Sequence, residues 1–189
     1  MNKFFIFILT ASILVSCTKN VYQKRIQSYL NASTVEEKEK YMADNYRSFF
    51  MDKKDSGDDK SSSLASFQNW DASLHPDVKI LDHSVADSIW TIKFNEQNDF
   101  SKLIDFPGWK ATYIVSFNRK GLIQETVYIP DSSNPSYKKW LRPAVDWLQQ
   151  NKFSELSEVY KNGRLVQTEV TAKKWVSLLT LWRKSTKMN

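Results

Sequence analysis

Residues 111 to 129 read ATYIVSFNRKGLIQETVYI, and this alternation limits the fold more than any other stretch. Trp109, Ala111, Tyr113, Val115 and Phe117 alternate with Lys110, Thr112, Ser116 and Asn118, so an extended strand here has one apolar and one polar face, Ile114 excepted. Arg119-Lys120-Gly121 fits a three-residue turn with the glycine in the left-handed position. That turn pairs Phe117 with Ile123, Val115 with Glu125, Tyr113 with Val127 and Ala111 with Ile129. A one-residue slip would turn the second strand over, so the pattern favours this register. The facing set is then apolar except for the Tyr113 hydroxyl and one carboxylate, Glu125.

A second period-two stretch, VKILDHSVADSIWTIKFN, predicts an earlier hairpin turning near Ala86 and Asp87, with Trp90, Ile92 and Phe94 on one face. A two-residue turn puts His83 on the side of Trp90; a three-residue turn puts Asp82 with Val78 and Ile80 instead. Before the hairpins the period is helical. Ser33 with Glu36, and Thr34 with Glu37, offer capping-box spacing, and Tyr41, Ala43, Tyr46, Phe49 and Phe50 recur every three to four residues. This predicts a helix through KEKYMADNYRSFF. MDKKDSGDDKSSS predicts an exposed loop, and Leu64, Phe67, Trp70, Asp71 and Leu74 share one side of a second helix that stops at His75-Pro76. DFSKLIDFPG reads as a link between the hairpins that holds about one helical turn.

Beyond residue 131 the period is helical again. Tyr137, Trp140, Leu141, Ala144 and Leu148 form a stripe in which Pro143 predicts a kink or restart. FSELSEVYKNG predicts a short helix ended by Asn162-Gly163. Trp175, Leu178, Leu179 and Trp182 mark a core-facing stripe in a last helix. Trp140, Trp147, Trp175 and Trp182 are expected to form core between these helices and the sheet.

The first seventeen residues, MNKFFIFILTASILVSC, stand apart: one lysine, an apolar run from Phe4 to Val15, then small residues, which is the make-up of a secretory signal and too short for a spanning helix. The ending LVSC resembles the bacterial lipobox. Cys17 is the chain's one cysteine, so it has no internal disulfide partner, and lipidation accounts for it. The expected location is the bacterial cell envelope, membrane-anchored through Cys17 and facing the periplasm. The net charge of +6 comes from lysines spread along the chain, with no nucleic-acid motif, so no nucleic-acid partner is expected. Two histidines and one cysteine argue against a zinc site on composition, and four glycines leave no phosphate-binding loop; no metal or cofactor is expected.

Two helices, then hairpins carrying HPDVKILDH and KGLIQETVYIPD, resemble the nuclear transport factor 2-like superfamily, which includes SnoaL-type cyclases, ketosteroid isomerases and scytalone dehydratases. Gly121, Ile123, Glu125 and Asp131 sit where that family's end-of-sheet pattern falls, and the tail from Trp140 looks like the helical extension of some bacterial relatives. The resemblance implies an α+β fold: a curved antiparallel sheet wrapped around N-terminal helices as a cone, leaving a hydrophobic cavity, with a helical C-terminal extension. The expected organisation is 1–16 signal, 17–32 lipidated N-terminus and tether, 33–131 cone and 132–189 helices packed on it. The functional expectation is a pocket for a small apolar ligand, walled by Trp70, Trp90, Trp109, Tyr113 and Tyr128, although Tyr128 alternates outward in the register above. Its rivals are an isomerase, dehydratase or cyclase using Glu125 with Asp82 or His83, and an interaction module that could pair with a second copy of the chain.

Overall fold

The computed structural model describes residues 21–54 and 56–187. The signal segment, Cys17 and the residues up to 20 lie outside the described residues. None of the described helices is long and apolar enough to cross a membrane.

Six strands form one mixed sheet in the order β2-β1-β6-β5-β4-β3. They are β1 (Met42–Phe50), β2 (Asp58–Asp59), β3 (Asp77–Ala86), β4 (Ile89–Gln97), β5 (Trp109–Phe117) and β6 (Ile123–Pro130). Every pairing is antiparallel except β1 with β6, which is parallel and departs from the expected all-antiparallel sheet. Helix α1 (residues 21–30) lays Ile26, Tyr29 and Leu30 on the concave face, against Trp90, Ile92, Phe94, Val115 and Ile123. Helix α2 (Val35–Glu39) and helix α3 (Lys60–Asn69) close one end, and a 3-10 turn over Asp71–Leu74 continues α3 to His75. His75 takes φ 51°, a left-handed conformation that ends the turn, and the following Pro76 disfavours any continuation of the helix at His75.

The capping signal is real but the helix after it is short. The Thr34 hydroxyl accepts from the Glu37 N–H at 3.1 Å, and α2 ends five residues later. The segment predicted to prolong it is β1 instead. Its Tyr46, Ser48 and Phe50 alternate inward, and Arg47 and Phe49 outward, as partners of β6. Aromatics recurring every three or four residues suit either state, and Asp44 and Asn45 are poor helix formers, so sheet pairing decides.

The first hairpin has the two-residue turn, Asp87-Ser88, with Ala86 opposite Ile89, and His83 therefore lies on the Trp90 side. In the second hairpin Gly121 is left-handed at φ 73° and Phe117 faces Ile123, as expected. The next pair is Ser116 with Glu125, because Gln124 is an extra residue on β6. This bulge corrects the predicted register: Val115 faces Thr126, Ile114 faces Val127 and Tyr113 faces Tyr128. Glu125 turns out and Tyr128 turns in.

The tail comprises α5 (Tyr137–Asn151), α6 (Phe153–Val159), a small hairpin of β7 (Tyr160–Lys161) and β8 (Arg164–Leu165), and α7 (Glu169–Lys187). Helix α5 continues through Pro143 as one element. Asn162 and Gly163, at φ 51° and 73°, form the tight turn of that hairpin rather than a helix stop. Trp175, Leu178, Leu179 and Trp182 are buried, as the stripe predicts. They form a second core with α4 (Asp99–Leu103), Leu74 and Phe106, and Trp140 and Trp147 pack against it.

Candidate functional site

Between the two cores lies a cleft of about 690 Å3. Its wall draws Phe50 from the end of β1, Trp70 and Asp71 from the turn after α3, Glu96 and Asn98 from the end of β4, and Phe100 from α4. Trp109, Tyr113 and Tyr128 come from β5 and β6, and Tyr137, Arg164, Leu165 and Gln167 from the tail form its lip. The tail thus borders the cleft without filling it. Phe94 stacks on Tyr113 at 5.3 Å and Tyr113 meets Tyr128 edge-on at 5.5 Å, which fixes the two phenols side by side.

Glu96 reaches the cleft by strand geometry alone. Trp90, Ile92 and Phe94 alternate inward along β4, and Glu96 is the next residue of that row. Asp71 arrives from the other side, one helical turn past the buried Phe67. Among the described residues neither carboxylate has a hydrogen bond or an ion pair within 4.0 Å. Burial pushes the Glu96 carboxyl up to about 7; the Asp71 charge adds to the rise and Lys38 opposes it. Burial raises Asp71 as well, against the pull of Lys38.

Lys38 completes the charged group without contacting the acids. Its ammonium donates to the Tyr29 carbonyl at 3.2 Å and sits 4.1 Å from the Tyr29 ring centre and 4.4 Å from that of Phe67. Burial pulls it down to about 8 although both carboxylates hold it up. Tyr128 is pushed up to about 12 by burial and then by Glu96 and Asp71. Tyr113 is held well above its ordinary value, first by burial, then by Tyr46 and Glu96. Both phenols therefore stay protonated at neutral pH, and neither hydroxyl has a protein hydrogen bond among the described residues.

The residues singled out from sequence fall in four places. Trp70, Trp109, Tyr113 and Tyr128 line the cleft together. Trp90 does not: at 3% exposure it is core, with the Tyr22 ring at 6.2 Å and the His83 ring stacked at 5.9 Å. Asp82 and His83 lie on exposed β3, at the sheet edge, where the Asp82 carboxylate accepts from the His83 backbone N–H at 2.8 Å. Glu125, expected on the concave face, shares the outer face with Arg47 and Val127 and is ion-paired with Lys53. The Gln124 bulge is the physical cause. Asp71 carried a sequence signal, since it fell on the apolar side of its helix. Glu96 carried one too, because extending the Trp90-Ile92-Phe94 alternation by one step reaches it.

No protein-family model and no curated protein matches the chain. Solved structures similar to it are of nuclear transport factor 2-like, SnoaL-like and ketosteroid-isomerase type. A Delta 5-3-ketosteroid isomerase from Mycobacterium sp. is 12% identical with a TM-score of 0.46, over 60% of this chain and 93% of that one. A putative isomerase of the SnoaL-like family from Agrobacterium tumefaciens is 13% identical with a TM-score of 0.42, over 59% and 96%. A nuclear transport factor 2-like protein of unknown function from Cytophaga hutchinsonii is 8% identical with a TM-score of 0.44, over 65% and 92%. These are the kinds of protein that the sequence resembles. At such identities and TM-scores they carry no argument about the site, which stands on its own geometry.

Proposed function

We propose that this is a lipid-anchored protein of the bacterial cell envelope whose cleft binds a small, largely apolar molecule. The cleft itself carries the reading: about 690 Å3, walled chiefly by aromatic rings, with two carboxylates as its polar end. Small-molecule sites run from roughly 300 to 1,000 Å3 and pair an apolar wall with a few placed polar groups. The anchor rests on the sequence ending at Cys17.

N-phenylnaphthylamine, a neutral apolar fluorophore, tests the cleft. Saturable binding of one probe per chain is expected, weakened about tenfold by Trp109→Ala and by Tyr113→Ala. Absence of saturable binding to the folded protein would remove the proposal. The anchor has its own test: palmitate incorporated in a bacterial host is lost in Cys17→Ala, and labelling that survives the change would remove the anchor while leaving the cleft.

One observation favours a second reading, as an enzyme. A carboxyl carried to about 7 is divided between acid and base at neutral pH, as proton transfer requires. In that reading a Glu96 carboxylate oxygen takes a proton from the carbon beside a ligand carbonyl. The electron pair of the broken C–H bond passes into the enolate, whose oxygen accepts hydrogen bonds from the Tyr113 and Tyr128 hydroxyls. Naphthylacetone in deuterated water is the assay. Exchange catalysed by the native protein and lost in Glu96→Gln supports the enzyme; exchange no faster than in buffer leaves a binding protein.

A further inference from the structure

We infer that the ligand of the cleft carries a positively charged amine, seated between the Asp71 and Glu96 carboxylates and the surrounding aromatic rings. This rests on the cleft being a ligand site, and it names the ligand's polar end.

Two carboxylates that face each other's field in a partly desolvated site are costly unless a cation compensates them. Among the described residues none is in contact with either acid. Lys38 spends its ammonium on the Tyr29 carbonyl and on the faces of Tyr29 and Phe67. Arg164 stands at the exposed lip of the cleft, without an ion pair among the described residues. A carboxylate only accepts hydrogen bonds, so the missing partner is a donor, and two neighbouring anions favour a charged donor over a neutral one.

The rings point the same way. Trp70, Phe100, Trp109, Tyr113 and Tyr128 line the space that holds the two acids. Aromatic faces attract cations, and ammonium groups are held in cages of such rings. The unpartnered Tyr113 and Tyr128 hydroxyls add acceptor lone pairs for further N–H groups. A hard metal ion fits less well: calcium takes six to eight oxygen ligands, whereas no group of three or more His, Cys, Asp or Glu side chains converges among the described residues. An alkylammonium with an apolar or aromatic body satisfies the acids and the wall together.

Naphthylethylammonium and naphthylethanol share a shape and differ in the charged head, so titration calorimetry of each against the native protein isolates it. The ammonium is expected to bind at least about tenfold tighter than the alcohol, and Asp71→Asn combined with Glu96→Gln is expected to abolish that preference while both ligands still bind. Equal affinity for the two ligands overturns this inference and leaves the cleft a binding site. Failure of both ligands and of the neutral fluorophore overturns the cleft reading as well.

Native protein alone gives a check that survives any folding defect of the double variant. The titratable groups that act on Glu96 are Asp71 and, from α2, Lys38; those that line the cleft with it are Tyr113 from β5, Tyr128 from β6, Tyr137 from α5 and Arg164 from β8. From about pH 5.5 to about pH 7.5 the phenols stay protonated, Lys38 stays mainly charged, and Glu96 gains charge. An alkylammonium, like a free lysine, also stays charged there. Its affinity is therefore expected to rise about tenfold across the interval while that of naphthylethanol does not. An ammonium affinity flat over this interval overturns the inference.

Discussion

Glu96→Gln has a consequence for folding that requires no ligand. The Glu96 carboxyl stands at about 7 in the folded protein against an ordinary 4.5. Between those values the folded state holds a proton that the unfolded chain has released. Stability therefore falls as pH rises through this window, and the penalty is absent well below 4.5 and complete above about 7. Each tenfold change in the proton equilibrium is about 1.4 kcal/mol, so the full penalty is about 3 kcal/mol, of which about 2 kcal/mol accrues between pH ~5 and ~7.5. Lys38 acts oppositely and later. Its folded value of about 8 lies below its ordinary 10.5, so its contribution grows as pH rises above about 8, outside the interval. Asp71 is raised in both proteins and cancels to first order in the comparison. Urea unfolding at several pH values reads the effect. The native protein should lose about 2 kcal/mol more than Glu96→Gln over that interval. Parallel stability curves would refute a desolvated Glu96, whatever the absolute stability of the variant.

Three further outcomes follow from the packing. Thr126→Val removes one end of the buried hydroxyl chain in which Tyr46 bonds Thr126 at 2.7 Å and Tyr29 at 2.8 Å. A loss of about 1–2 kcal/mol in urea unfolding is expected, and no loss would contradict the inward position of Thr126. Glu125→Gln breaks a partly exposed pair with Lys53, so stability should change by less than about 1 kcal/mol and fluorophore binding not at all; a marked loss of binding would place Glu125 at the cleft. Trp175→Ala empties the centre of the tail core and should cost about 3–5 kcal/mol in the same unfolding assay; a cost under about 1 kcal/mol would mean that the tail is not packed as described.

The hairpins were legible because strand alternation is local. Trp90, Ile92 and Phe94, and likewise Ala111, Tyr113 and Val115, point where period two sends them. The tail stripe was legible for the same reason, with Trp175 and Leu179 buried at helical spacing. What sequence missed was set by tertiary pairing. Strand β1 is placed by β6, a partner about eighty residues away, and the spacing of its aromatics is compatible with helix and strand alike. The bulge at Gln124 depends on that partner too, because Thr126 turns inward onto the Tyr46 hydroxyl of β1. With β1 read as helix, nothing in ETVYI favoured Thr126 over Glu125 for the concave face. The acid in the cleft was anticipated as a type and assigned to the wrong strand position. Four of the five expected wall aromatics do meet in the cleft, while Trp90 was taken by the core beneath α1.

The ionisation of Glu96 reports most directly on the polar end of the cleft. Carbon-detected NMR of the side-chain carboxyl groups, with Glu96 assigned through the loss of its signal in Glu96→Gln, follows that acid directly as pH is raised. A midpoint near 7 is predicted, moving down when naphthylethylammonium saturates the cleft. A midpoint at the ordinary 4.5 would mean that water already reaches the carboxylate freely, and the cleft would then lose the polar end on which its function rests.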